Sequence, residues 1–129
     1  MSTITQGISL AFNLFAVIWQ NSKICTDSAL GMESGQIPDA NISASSEHPS
    51  SPAIKGRLGQ PSAWCSLDGE IERYIQVNLS TTYVICAIAT QGHFNNSVGG
   101  FVDKYRLQYA LSGDEWEFYK TEDGDEVCS

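Results

Sequence analysis

The short segment HFNN at residues 93–96 combines residue types that suit ligand binding. Phe94 offers an apolar ring face, and His93, Asn95 and Asn96 beside it offer donors and acceptors of hydrogen bonds. Binding sites for sugars and peptides combine an apolar surface with a few well-placed polar groups. We therefore predict that this segment contacts a ligand through Phe94 and that its polar neighbours contribute specificity.

Residues that could support catalysis or hold a metal ion are sparse. The histidines are His48 and His93, and the chain lacks a C-x-x-C pair, a phosphate-binding glycine loop and a G-x-S-x-G turn. The acidic run EDGDE at 122–126 lacks the ligand spacing of an EF-hand calcium loop, and we interpret it as a solvated tail. The sequence predicts a protein that is not an enzyme and needs no metal or cofactor.

The composition describes one acidic domain. A length of 129 residues allows at most one ordinary domain, and an apolar fraction of 42% is sufficient for a hydrophobic core. The formal net charge of -8 disfavours contacts with nucleic acid or anionic lipid, because each phosphate contact needs a Lys or Arg. This leaves carbohydrates and proteins as the favoured partners.

An almost unbroken apolar run at residues 8–19 precedes the rest of the chain. The run is shorter than the roughly twenty residues that cross a bilayer, and its length is typical of the hydrophobic region of a secretory signal peptide. We predict a signal peptide over residues 1–22, cut between residues 16 and 23, and a secreted mature chain. The alternative is a buried N-terminal helix or strand, since no Lys or Arg precedes the run and no A-x-A motif follows it.

Cysteines and glycosylation sequons agree with an extracellular protein. The four cysteines allow three complete pairings, and we interpret Cys86, inside the apolar run YVICAIAT, as a free thiol in the core. Sequons of the form N-x-S begin at Asn41, Asn78 and Asn95, so these asparagines are candidate glycosylation sites.

The sequence pattern after the predicted signal peptide indicates an all-β fold. Alternation over residues 73–79 places Ile75 and Val77 on one face, and further strand-like runs cover 42–46, 83–90, 105–111 and 115–120. A hairpin turn is predicted at 112–114. Short strands between clusters of turn residues are typical of a sandwich or barrel. The residues that we expect in the core are Ile75, Val77, Ile85, Ala87, Leu107 and Trp116.

Several motifs occur in the order found in the discoidin domain, also called the coagulation factor V/VIII type C domain. They are ALGMESGQIPDANISASS, GRLGQPSAWC, YIQVNLS, AIATQG and FVDKYRLQYALSGDEWEFY. The chain resembles this family over residues 25–129. The resemblance implies an antiparallel, jelly-roll-like β-sandwich of the galactose-binding-like type, which serves extracellular and cell-surface adhesion proteins as a non-catalytic binding module.

The chain departs from the family pattern after the strand that contains Trp116. Family members continue into closing strands that end in a cysteine, and that cysteine bridges to the opening one, whereas this chain ends with DGDEVCS. We therefore expect a sandwich that lacks the closing strands. The disulfide candidates are then Cys25, with either Cys128 or Cys65 as its partner.

The resemblance also places ligand-binding loops at one end of the sandwich, and the matching segments here are 47–55, 66–72 and 93–101. From these loops we select as candidate ligand-binding residues Glu47, His48, Leu67, Asp68, His93, Phe94, Asn95 and Asn96. These loops carry few apolar residues at their tips and lie on an acidic surface, so they would anchor weakly in a membrane. A carbohydrate or an extracellular protein is therefore the favoured ligand. The alternatives are a structural or regulatory fragment that binds no ligand and a weak binder of anionic phospholipid.

Four large side chains are assigned structural roles. Trp64 and Trp116 lie in or beside strand-like runs and are expected in the core. Arg57 and Arg106 match positions that the family fills with basic residues, and we expect them to form structural hydrogen bonds or ion pairs.

Overall fold

The computed structural model describes residues 2–6, 13–19, 29–95, 98–100, 102, 104–111 and 115–120. In this part of the chain the regular structure consists of β-strands and two short 3-10 helices, Asp39–Asn41 and Ala53–Gly56. The strands are β1 (Ser2–Gln6), β2 (Asn13–Trp19), β3 (Ile42–Ala44), β4 (Arg73–Val77), β5 (Val84–Gln91), β6 (His93–Asn95), β7 (Val98–Gly100), β8 (Tyr105–Tyr109) and β9 (Glu117–Phe118). The predicted all-β class is confirmed.

The larger sheet has five strands in the order β3-β4-β1-β8-β9, and all its neighbours are antiparallel. In β3 and β4, which we call the β3–β4 ribbon, Ile42 lies opposite Val77 and Ala44 lies opposite Ile75. β2 pairs with β5 in a second antiparallel sheet, and β6 pairs with β7 in a hairpin.

The core lies between the larger sheet and β5. Alternation along β4 buries Ile75 and Val77, as the sequence pattern predicts. The core cluster consists of Met32, Ile37, Ile42, Ala53, Trp64, Ile75, Val77 and Leu79. Ile85 of β5 and Leu107 of β8 are partly buried and pack against this cluster from their own strands.

The predicted core is confirmed at Ile75, Val77 and Trp64, which are all buried. Trp116 differs from the prediction because it is only partly buried and lies outside the core cluster. The strand expected at 115–120 shortens to Glu117–Phe118, and Trp116 precedes it at the edge of the sheet, where few neighbours can cover a large ring. The side chain of Ala87 lies outside the described residues.

The Arg57 side chain binds the segment 32–39. Its buried guanidinium donates hydrogen bonds to the carbonyl oxygens of Met32 (2.9 Å) and Ile37 (2.7 Å) and to Asp39 Oδ1 (2.6 Å). These bonds offset the cost of removing the charge from water. The expected structural role of Arg57 is therefore confirmed.

The turn at residues 31–37 requires glycine at position 31. Gly31 has φ of 105°, and a Cβ atom there would collide with Gln36 Cβ. The backbone N–H groups of Gly35 and Ile37 both donate to the Gly31 carbonyl oxygen, which closes the turn. This turn brings Met32 into the core.

Strands β8 and β9 form one edge of the larger sheet. The Arg106 guanidinium lies 5.2 Å from the centroid of the Phe118 ring, which is a cation–π contact and fits the expected structural role. The Tyr109 hydroxyl donates to Glu117 Oε2 (2.8 Å), and this hydrogen bond, with the carboxylate charge, raises the pKa of Tyr109. The predicted turn at 112–114 and the acidic run at 122–126 lie outside the described residues.

The N-terminal segments are strands in this structure. β1 lies between β4 and β8, with Ile4 opposite both Ile75 and Leu107, and β2 lies beside β5. A strand here is the alternative that the sequence left open. Removal of residues 1–22 as a signal peptide is a processing event, and it stays a prediction, as does the lack of closing strands.

Candidate functional site

Two of the three predicted ligand loops leave the same end of the β3–β4 ribbon. At this end, the Ser45 N–H donates to the Tyr74 carbonyl oxygen (2.9 Å), and the Tyr74 N–H donates to Ser45 Oγ (3.1 Å). The segment 47–55 follows β3, and the segment 66–72 leads into β4. The antiparallel pairing of β3 and β4 therefore brings the two segments together.

Glu70 and Ser46 attach the segment 66–72 to the end of β3. The Glu70 carboxylate accepts hydrogen bonds from the hydroxyls of Ser45 (3.1 Å) and Ser46. Ser46 Oγ also accepts from the Leu67 N–H (3.0 Å), and the Ser46 carbonyl oxygen accepts from the indole N–H of the buried Trp64 (2.8 Å). The segment thus has a defined shape that is anchored to the core.

Backbone hydrogen bonds attach the segment 47–55 to the residue that precedes the second loop. The His48 N–H donates to the Cys65 carbonyl oxygen (2.8 Å), and the Cys65 N–H donates to the Ser51 carbonyl oxygen (3.1 Å). A further bond from the Ser51 N–H to the His48 carbonyl oxygen (2.8 Å) closes the turn between them. We call the two segments, residues 47–55 and 66–72, the joined loops.

Glu47 and His48 use their side chains within their own loop. The Glu47 carboxylate accepts from the Ala53 N–H (2.8 Å), where a 3-10 helix begins. His48 Nδ1 lies 2.8 Å from Ser50 Oγ and 3.3 Å from the Ser50 N–H nitrogen. Both side chains therefore shape the loop, and a direct ligand contact for either residue stays a prediction.

The outer surface of the segment 66–72 combines apolar and acidic side chains. Leu67 is 46% exposed and Ile71 is 90% exposed, while Asp68 and Glu72 beside them are also exposed. Leu67 and Asp68 were predicted as ligand-binding residues from the sequence, whereas Ile71 was not. The available signal was a β-branched apolar residue between two glutamates, outside any alternating strand pattern.

The third predicted loop, residues 93–101, contains the β6–β7 hairpin. His93 lies opposite Gly100 and is partly buried, and Phe94 lies opposite Gly99. The side chains of Phe94 and Asn95, and Asn96 as a whole, lie outside the described residues. The ligand role of this segment therefore stays a prediction.

Cys65 lies between the joined loops as a free, partly buried thiol. Cys25 and Cys128 lie outside the described residues, so the disulfide pairing stays a prediction. Within the described ranges, no group of three or more His, Cys, Asp or Glu side chains is placed to hold a metal ion. The same part of the chain contains no helix with the length and apolar character needed to cross a membrane.

Comparisons with known proteins match most of the chain. The F5/8 type C domain family matches residues 40–127. Epithelial discoidin domain-containing receptor 1 of Pan troglodytes is 37% identical over 105 residues, which cover 78% of this chain and 12% of the receptor. Discoidin domain-containing receptor A of Caenorhabditis elegans is 32% identical over 110 residues, which cover 78% of this chain and 14% of that receptor.

A third relative belongs to a differently named group of proteins. Neuropilin-2 of Homo sapiens is 36% identical over 97 residues, which cover 70% of this chain and 10% of neuropilin-2. No solved structure gives a significant match. The chain thus spans a small part of each relative. The family match at residues 40–127 includes the β3–β4 ribbon and the joined loops. This chain belongs to the F5/8 type C, or discoidin, domain family.

Proposed function

We propose that this chain is an extracellular, non-catalytic binding module that recognises a protein or carbohydrate ligand through the joined loops. One observation supports the proposal most directly. The joined loops are fixed to the core by hydrogen bonds at Ser46 and Glu70, yet they leave Leu67 and Ile71 exposed. A pre-shaped surface loses little conformational entropy when it binds, and exposed apolar side chains supply contact area.

The charges around these apolar residues favour one class of ligand. Asp68 and Glu72 are exposed beside Leu67 and Ile71, and the whole chain has a net charge of -8. Acidic groups attract basic groups and repel anionic lipid headgroups. A protein surface with apolar and basic side chains therefore fits the segment 66–72 of the joined loops best. The hairpin at 93–101 enters the proposal as a second contact, with Phe94 as its apolar anchor.

The comparisons support binding as the general function. Two of the relatives are named receptors, and the region that they share with this chain is a small part of each. The proposal therefore concerns binding by this domain and not the activities of those whole proteins.

The binding proposal is tested with the purified chain on a glycan array, on an array of extracellular protein domains and on liposomes that contain phosphatidylserine. We expect binding on one of the arrays and none to the liposomes. The double substitution Leu67→Ser and Ile71→Ser should weaken that binding by about tenfold or more, because hot-spot residues typically contribute over 1 kcal/mol each. The melting temperature should stay unchanged, since both side chains are exposed.

A matched control is available at the opposite end of the larger sheet. β8 runs parallel to β4 because both are antiparallel to β1, so Leu111, which follows β8, lies away from the joined loops. Leu111 is 74% exposed, and Leu111→Ser should leave binding intact. Full binding by the double variant, or an equal loss in the control, contradicts the proposal.

Phe94→Ala tests the second contact separately. A buried hot-spot aromatic typically contributes about 2 kcal/mol or more, so we expect the affinity to fall roughly thirtyfold. The melting temperature is measured on the same variant. A large fall in melting temperature would instead assign Phe94 to the packing of the domain.

Export is proposed to include removal of a signal peptide between residues 16 and 23. Such cleavage removes β1, the strand between β4 and β8, together with part or all of β2. Unpaired strand edges bind other strands readily, so the cleaved chain should self-associate more than the uncleaved chain. Mass spectrometry of the exported protein locates its first residue, and size-exclusion chromatography compares the two forms. Exported protein that begins at Met1 contradicts this part of the proposal.

A further inference from the structure

Two of the three glycosylation sequons meet at the end of the β3–β4 ribbon that lies away from the joined loops. Asn41 precedes β3 and Asn78 follows β4, and the Asn78 N–H donates to the Asn41 carbonyl oxygen (2.8 Å). The joined loops begin beyond Ser45, which is about 13 Å away along β3 at roughly 3.3 Å per residue. The two asparagines therefore lie side by side, away from the proposed ligand surface.

The side-chain nitrogen of Asn41 is already engaged by the protein. Asn41 Nδ2 donates to the Asn78 carbonyl oxygen (2.8 Å) and to Ser80 Oγ (2.9 Å), and the residue is partly buried. An asparagine amide has two donor hydrogens, and both are used here. N-linked glycosylation replaces one of these hydrogens with a bulky sugar. A glycan on Asn41 would therefore break at least one of the two bonds.

Asn78 has the opposite arrangement. Its side chain is exposed, and the group that contacts the protein is its oxygen: Asn78 Oδ1 accepts from the Ser80 N–H (2.8 Å). Ser80 is also exposed and has φ of 63°, so the sequon lies on a tight surface turn. A glycan on the Asn78 nitrogen leaves the hydrogen bond to Ser80 intact, and glycans require such a surface position.

We infer that Asn78 carries an N-linked glycan and that Asn41 does not, because the Asn41 side chain supports the turn that presents Asn78. This inference rests on the proposed extracellular location, since the sugar is attached in the secretory pathway. A glycan at Asn78 lies at the opposite end of the ribbon from the joined loops. It therefore leaves the proposed ligand surface uncovered.

The full chain produced by secretion from mammalian cells tests the inference. Peptide N-glycosidase F converts each glycosylated asparagine to aspartate, so mass spectrometry of the treated protein identifies the occupied sequons. We expect Asn78 to be converted and Asn41 to be unchanged. The variant Asn78→Asp, which keeps the oxygen that binds the Ser80 N–H, should lose the glycan from this turn.

Asn41→Asp is the matched control, and it should retain the glycan on Asn78. A glycan found on Asn41, or an unmodified Asn78 in protein recovered from the secretory pathway, overturns the inference. If the chain does not enter that pathway, the proposed location fails instead. The same chain is then placed behind a heterologous signal peptide, and occupancy of Asn78 in that protein decides the inference by itself.

Discussion

The two ends of the β3–β4 ribbon are both held by side-chain hydrogen bonds, but they expose different surfaces. At one end, Ser46 and Glu70 fix the joined loops and leave Leu67 and Ile71 outside. At the other end, Asn41 and the turn at residues 78–80 bond to each other and expose polar groups. Hydrogen bonds to the backbone define shape at both ends, so the exposed apolar residues are what distinguish the proposed ligand surface.

The two ends of the ribbon also differ in the length of chain that must be ordered. The joined loops add a long stretch of chain that needs contacts to Trp64 and Cys65 to become ordered. The turn at 78–80 is held by Asn41 and by a hydrogen bond between its own residues Asn78 and Ser80. A longer loop costs more entropy to order, and more hydrogen bonds are needed to offset this cost. The joined loops are consequently the more sensitive of the two ends to the loss of one anchoring residue.

The largest expected effect is the loss of stability when an aspartate is introduced into the core face of the ribbon. The same substitution in the joined loops serves as the comparison. Val77 is 2% exposed in β4, so Val77→Asp places an unpaired carboxylate in the core and should cost about 4 kcal/mol or more. This loss approaches the total stability of a small domain, and we expect the protein to unfold. Ile71→Asp in the joined loops should change stability by less than about 0.5 kcal/mol.

Thermal unfolding followed by circular dichroism compares these two variants with the unmodified chain. A Val77→Asp variant that melts like the unmodified chain would show that the register of the ribbon is wrong. A strong destabilisation by Ile71→Asp would show that the joined loops are packed and do not present a free surface.

An intermediate effect is expected from the anchor of the joined loops. Glu70→Ala removes the acceptor of the Ser45 and Ser46 hydroxyls and should cost about 2 kcal/mol, because hydrogen bonds to a charged group are stronger than neutral ones. Amide hydrogen exchange over residues 66–72 should accelerate. Glu72→Ala, which changes an exposed carboxylate in the same loop, is the control and should have little effect. Equal stability and equal exchange rates in the two variants would show that Glu70 does not anchor the joined loops.

The smallest expected effect is at the opposite end of the ribbon. Asn41→Asp removes both donors to the turn at 78–80 and should cost about 1 kcal/mol in protein made without glycans. Asn78→Asp keeps the acceptor for the Ser80 N–H and should cost less. Denaturant unfolding of the two variants measures the difference. A larger loss for Asn78→Asp would contradict the supporting role assigned to Asn41.

The strands were predictable because alternation is a local property of the sequence. β4 shows this clearly, since Ile75 and Val77 point to the core as the pattern requires. The full burial of Met32 was not predictable, because it depends on the turn at Gly31 and on Arg57, which lies much later in the chain. Long-range contacts of this kind leave no periodic signal in the sequence.

The candidate site was predictable in position but not in the role of each residue. The family resemblance located the segments 47–55 and 66–72, and the structure brings them together. Glu47 and His48 are polar residues in a turn-rich segment, and the sequence does not distinguish a ligand contact from a bond to the loop itself. Their bonds to residues 53 and 50 are set by the folded path of the loop.

The shape of the segment 66–72 depends on Ser46 and Glu70, whereas its solvent-facing surface is formed by other residues. This division of roles has a practical consequence for protein engineering. Gly69 must also be kept, since its φ of 81° suits glycine. With these three residues fixed, positions 67, 68, 71 and 72 can be randomised as a combinatorial library, since their side chains are exposed. The domain then becomes a display scaffold whose specificity is selected at four adjacent surface positions while its framework stays constant.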